Sequence, residues 1–309
     1  MCCSVSPNIK VRFSDTILYG AEIVNSLGKN VHVLGYQNTA QNNVSSFAAL
    51  PNSFWKKFKS TFSSSAKAKG NAMILPFPAV PHTMSKENVL DTGNCPKVLK
   101  DIAEAVKPLP PKGLLFPQSR SFGAQSLVQI FEAAGIYTVV LAQDARAIPD
   151  ALDQVPAEKR PQLNPELFDA YAKWYPDWTI ALCCFNNEEL KEALPMIWWY
   201  EPLNPEQLFL PALDCHTGNL PNLQASVLVD HTVAVGSSLV ENDYQGSYQR
   251  VFYSNSNISN DLKPYFLSQV IGTEIKEKMP NGDFVCQIDE VRKGIWNPLR
   301  TLPPNTNYS

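Results

Sequence analysis

The chain has 309 residues, enough for one large domain or two small ones, and its formal net charge of -3 excludes a protein whose main task is coating nucleic acid, which needs a basic face to neutralise phosphates. An apolar fraction of 44% describes a globular chain, and 25 prolines against 14 glycines predict rigid turns, short elements and few long helices. Seven cysteines without a C-x-x-C pair read as reduced thiols, and the chain shows neither a basic-then-apolar leader nor an apolar window long enough for a membrane span, so a soluble, cytoplasmic setting is expected.

From Ile9, short apolar runs alternate quickly. Residues 17–24 and 31–37 read as two strands joined by a Ser-Leu-Gly-Lys-Asn turn, with His32 on the face opposite Val31 and Val33. Residues 52–70 carry five lysines and no acid around Phe54, Trp55, Phe58 and Phe62; they read as a mobile basic loop near 55–70, a contact surface for an anionic partner or a membrane surface, or a set of aromatics against the core. Residues 71–77 form the next strand, which ends at Pro78 because proline donates nothing to a ladder. Ser85 resembles a helix cap, and residues 96–106 spell a helix with Leu99, Ile102, Ala103 and Val106 on one face. Residues 113–117 read as a short strand. Residues 125–135 then read as a helix packed through Leu127, Val128, Phe131 and Ala134, with Gly135 as its left-handed stop, and a buried strand YTVVLAQ follows. No glycine-rich loop accompanies this helix and strand, which removes a phosphate site there.

Asn164 and Pro165 begin a helix reaching Trp174, WTIALCCF is a strand whose Cys183 and Cys184 are core residues, and Asn186 caps a helix through Ala193. The aromatic stretch MIWWYEP offers a contact surface. YQRVFYSN reads as a strand, residues 262–270 as a short helix, and Asn281-Gly282 as a turn before another strand; the tail from Trp296 is extended. Consecutive strands early and helix-strand succession later predict one α+β domain over 1–309. Its mixed or mainly antiparallel sheet, packed with short helices, is expected to hold residues 17–24, 31–37, 71–77 and 226–235.

Chemistry concentrates in residues 207–236, which hold half of the histidines, each beside an aspartate: Asp214 with His216, and Asp230 with His231. LFLPAL and SVLVDHTVAV read as strands that a Gly-Asn-Leu-Pro-Asn turn could bring side by side. Imidazole and carboxylate are the ligand types for a divalent metal such as zinc, and positions 214 and 216 share a strand face, whereas 230 and 231 point to opposite faces. Asp214, His216 and Asp230 are therefore the candidate ligands, with His231 as a catalytic base in a hydrolase. The same residues fit histidines hydrogen-bonded at a sheet rim and aspartates capping turns.

A second route to hydrolysis starts at the N-terminus. Loss of Met1 would leave Cys2 with a thiol nucleophile and a near-neutral α-amine as its base. Cys2, Arg12, Asp15 and the early hairpin strands resemble the N-terminal nucleophile hydrolases over the first eighty residues. That resemblance implies a four-layer αββα sandwich whose first strand opens with the catalytic cysteine, and amide cleavage. The opening cysteine, the strand VHVLGYQNTA and then MILPFP are similar to an uncharacterised bacterial domain family with an LPxP strand, which implies no activity. The sequence thus leaves open an enzyme, a binding protein using its aromatic-rich surfaces, and a subunit of a larger assembly. Its expected partners are small molecules or proteins.

Overall fold

Alternation decides which way each strand faces, and in this chain most strands are apolar on both faces. Buried strands of that kind need cover on two sides, which a pair of stacked sheets with helices outside supplies. The computed structural model describes residues 3–4, 11–25, 28–42, 70–107, 128–186, 194–215, 218–240 and 246–306. The predicted basic loop, the strand at 113–117, the helix after Asn186, Cys2 and His216 lie outside those residues. In chain order the strands are β1 (Cys3–Ser4), β2 (Val11–Val24), β3 (Asn30–Asn42), β4 (Gly70–Phe77), β5 (Val89–Leu90), β6 (Val128–Ala133), β7 (Tyr137–Ala142) and β8 (Thr179–Asn186). They continue as β9 (Met196–Tyr200), β10 (Gln207–Leu210), β11 (Ser226–Ser237), β12 (Gln249–Arg250), β13 (Gln269–Pro280), β14 (Asp283–Gln287) and β15 (Leu299–Thr301). The α-helices are α1 (Val98–Ala105), α2 (Ile148–Ala151), α3 (Pro165–Trp174) and α4 (Ile288–Arg292).

The fold is α+β, as expected from the sequence. A seven-stranded mixed sheet runs β12-β13-β11-β2-β3-β9-β5, a five-stranded antiparallel sheet runs β1-β4-β8-β7-β6, and a three-stranded sheet runs β10-β14-β15. Within the seven-stranded sheet β11 lies parallel to β2, with His231 opposite Thr16, while its other side pairs antiparallel with β13. Three of the four segments assigned to one sheet, 17–24, 31–37 and 226–235, are indeed together. The fourth, 71–77, is in the five-stranded sheet, stacked on the other three rather than bonded to them.

Three packed clusters follow from period two. Met73, Leu75 and Phe77 of β4 meet Leu34, Tyr36 and Trp198 between the two large sheets. Ile74 of β4, with Leu182 and Cys184 of β8, turns outward against Leu167, Phe168 and Tyr171 of α3. Tyr19, Val33 and Ile197 leave the seven-stranded sheet on its other side and pack on Leu99 and Ile102 of α1. Burying each of the larger apolar side chains contributes about 1.5–3 kcal/mol, so the inter-sheet layer is the main source of stability. Helix α3 starts as its sequence predicts: the Asn164 side chain accepts the Glu166 amide proton at 3.1 Å and Pro165 occupies the first turn.

Three readings are corrected. Residues 128–133 are strand β6, not helix: Gln129, Phe131 and Ala133 alternate with Val128, Ile130 and Glu132 as well as they fit a helical stripe, and pairing with β7 decides between the two periods. Gly135 is left-handed as predicted (φ 74°), yet with Ala134 (φ 46°) it turns a hairpin instead of ending a helix. Only Lys263–Tyr265 of the predicted 262–270 helix is helical, as a single 3-10 turn, and Gln269 already belongs to β13. Among the described residues no helix is long and apolar enough to cross a membrane.

Candidate functional site

The two strands of the Asp/His stretch do not pair. Strand β10 joins β14, and β11 takes β13 and β2, because β11 is buried on both faces from His231 onward and fills a central position with a partner on each side. Asp214 follows β10; its amide donates to the Asn281 side chain at 2.8 Å, and the Asn281 amide group donates in turn to the Asp214 carbonyl at 3.1 Å. Asp230 stands opposite Lys276, five ladder positions from Asn281, about 16 Å of extended chain. Its carboxylate accepts the Asp15 amide proton at 3.4 Å, at a bulge where Asp15 takes a left-handed φ of 50°. His231 points inward, 1% exposed, its ring edge-on to Phe284 at 6.4 Å. The structure thus anchors Asp214 at the β13–β14 turn and Asp230 at the β2 bulge, on strands that do not pair with each other. Among the described residues no group of three or more His, Cys, Asp or Glu side chains could hold a metal ion.

Two buried polar clusters have structural work. Glu22, on the inner face of β2 and fully buried, accepts Arg292 through both carboxylate oxygens (2.5 and 3.0 Å), Ser237 at 2.6 Å and Asn30 at 3.3 Å. His32 lies opposite Glu22 in the β2–β3 ladder; burial pushes its pKa down to about 4 against the pull of that carboxylate, so the ring is neutral at pH 7. Asp283 accepts the amides of Ala212 and Leu213 at 2.7 and 2.9 Å and the Tyr175 hydroxyl at 2.8 Å, while burial holds its carboxyl above the usual range. The expected aromatic contact surface is also interior: Met196, Ile197, Trp198 and Tyr200 of β9 are at most 1% exposed, because β9 lies between β3 and β5 with packing on both faces.

A cleft of about 500 Å³ opens where two sheets come together at their margins, within the ~300–1,000 Å³ usual for ligand sites. One wall is the segment from Lys86 to Asp91, which includes β5, the last strand of the seven-stranded sheet; the other is the tip of the β6–β7 hairpin from Phe131 to Gly135. The first wall is held firmly. Ser85 and Asn88 form a reciprocal cap, the Asn88 side chain donates to the Trp199 carbonyl at 2.7 Å, and the Trp199 indole donates to the Glu87 carbonyl at 3.2 Å. Gln129 ties the second wall to the first, accepting the Lys86 amide proton at 3.0 Å and donating to the Met84 carbonyl at 3.2 Å.

The floor is apolar, with Phe131 packed 6.2 Å from the Trp198 ring, and the rim carries three carboxylates, Glu87, Asp91 and Glu132, against one lysine. The Ser85 hydroxyl, donating to Glu87 at 2.5 Å, holds that carboxyl below its ordinary range, and Glu132 is met by Lys159 at 2.7 Å. Of the sequence signals, only the Ser85 cap pointed here. The rest of the site is assembled from segments some forty residues apart and carries no motif.

No family model matches the chain, and no curated protein matches it. Among solved structures it is similar to the crystal structure of baculovirus P35, with 12% identity and a TM-score of 0.42 over 98% of this chain and 95% of that one. It is also similar to a mutated baculovirus P35 after caspase cleavage (13% identity, TM-score 0.41, 89% and 97% coverage). The caspase-8/P35 complex follows with 13% identity and a TM-score of 0.36 over 94% of this chain and 92% of that one. Likeness at that level establishes neither a shared fold nor a shared function.

Proposed function

We propose that this protein acts by binding another polypeptide, and that the cleft between β5 and the β6–β7 hairpin is where it does so. The observation that carries this reading is the composition of the cleft. It joins a rigid apolar floor to a charged rim, the arrangement that fixes a partner by burial and orients it by charge. Its ten lining residues include no Ser, Thr, Cys or His to act as nucleophile or neutral-range base. Glu87, with its carboxyl stabilised as the anion by Ser85, is poorly matched to proton transfer near neutral pH, where a catalytic group needs a pKa close to the working pH.

The test is a selection from displayed random peptides against the intact protein, repeated with Phe131→Ala and Val89→Lys. Peptides should be enriched on the parent protein and lost on both variants, with circular dichroism showing the variants folded. A selection that enriches nothing, or peptides that bind the folded variants equally well, would overturn the assignment.

A further inference from the structure

Resting on that reading, we infer that the cleft takes an extended segment bearing lysine or arginine, which pairs with the outer edge of β5 as an eighth strand of the seven-stranded sheet. Strand β5 is terminal: its inner side pairs with β9, Val89 opposite Trp198 and Leu90 opposite Ile197, and among the described residues no strand pairs with its outer side. Both residues of β5 and their neighbours on either side line the cleft, so a chain lying in it lies against a strand whose ladder is incomplete. The capped segment before β5 and the Trp199 indole bond hold the edge in strand geometry before anything binds, which reduces the ordering cost of adding a strand. Side chains of an added strand alternate. Val89 and Asp91 stand two residues apart on one face of the extended segment, so the set on that face would meet both, beside the Glu87 carboxylate, whose ion pair among the described residues is with Lys86 at 3.9 Å. With Glu132 already paired to Lys159, an acidic segment would still meet the carboxylates of Glu87 and Asp91 with Lys86 to answer them, so the rim favours basic residues. The two residues of β5 and their flanks accommodate about five residues of extended chain, ~16 Å.

The probe is a fluorescein-labelled heptapeptide of alternating lysine and valine, compared with its glutamate-valine counterpart and with the lysine peptide N-methylated at alternate amides in each of the two registers. Anisotropy should show the lysine peptide binding at least tenfold tighter than the glutamate peptide, with affinity falling as salt is raised. N-methylation in one register should abolish binding and in the other should spare it, since only one edge of an added strand faces β5. Glu87→Gln and Asp91→Asn should each weaken the lysine peptide about two- to fivefold at low salt. Hydrogen exchange of the 88–90 amides should slow on binding. Equal affinity for the two charge types, indifference to N-methylation in both registers, or no binding of the lysine peptide would each overturn the inference. If the displayed library meanwhile enriches acidic or helical peptides that need Phe131, peptide binding stands and the strand-addition inference alone fails.

Discussion

Replacing Arg292 by Met removes the cation that meets Glu22 through both oxygens while keeping much of the side-chain volume. Glu22 is then left 0% exposed between the sheets, with Ser237 and Asn30 as its remaining donors. Removing one partner of a buried ion pair costs about 3–5 kcal/mol, and because Arg292 keeps 25% of its side chain in solvent and two donors remain, the lower end applies, ~3 kcal/mol. For a chain of this size that is a fall in melting temperature of about 5 °C. Urea unfolding followed by tryptophan fluorescence measures it, and a second variant isolates the cause. Glu22→Gln combined with Arg292→Met removes both charges, and the pair should recover to within about 1 kcal/mol of the parent. An Arg292→Met variant that loses less than ~1 kcal/mol, or a double variant no better than the single, would refute the claim that α4 is fastened to the sheet by this pair.

His32, neutral because burial pushes its pKa from 6.5 to about 4, binds more protons unfolded than folded between those values; stability is therefore lost as pH falls, and the parent should lose about 3 kcal/mol more than His32→Gln between pH 7 and pH 4 by chemical denaturation. A Cβ on Gly272 would stand 2.0 Å from the Val233 carbonyl oxygen in the neighbouring strand, so Gly272→Ala should cost about 3 kcal/mol or more by forcing β13 from β11, read as a loss of amide protection along both strands. Ala134 is held at a φ of 46°, where a branched side chain is strained most; Ala134→Gly should leave the melting temperature unchanged or raised while Ala134→Val lowers stability by more than ~1 kcal/mol.

What could be read in advance was whatever local chemistry decides. The Asn164-Pro165 start of α3, the end of β4 near Pro78 and the alternation that places His32 opposite the valines need only neighbouring residues, and the structure shows each. What failed was decided by distant partners. Residues 128–133 satisfy two periods over too short a span to separate them, and only β7 makes them a strand. The MIWWY run looks like a sticky surface until β3 and β5 flank it and both faces are covered. Asp214 and Asp230 invited a shared site because they are close in sequence around a plausible turn, whereas β10 chose a partner some eighty residues later. The cleft was illegible for the same reason: its two walls belong to the margins of different sheets.

The parallel pairing of β11 with β2 sets the order of events during synthesis. Asp15 and Asp230, which meet beside that seam, are 215 residues apart, and ribosomes add roughly 5–20 residues per second, so β2 and β3 leave the ribosome about 10–40 s before the strand that closes them. Over that interval β4 and α1 can already cover the faces of the hairpin, but the β2 edge has no hydrogen-bonding partner until β11 is made. The nascent N-terminal third is therefore a substrate for chaperones that shield strand edges, and a chain that stops short of β11 releases a template for aggregation instead of a stable fragment.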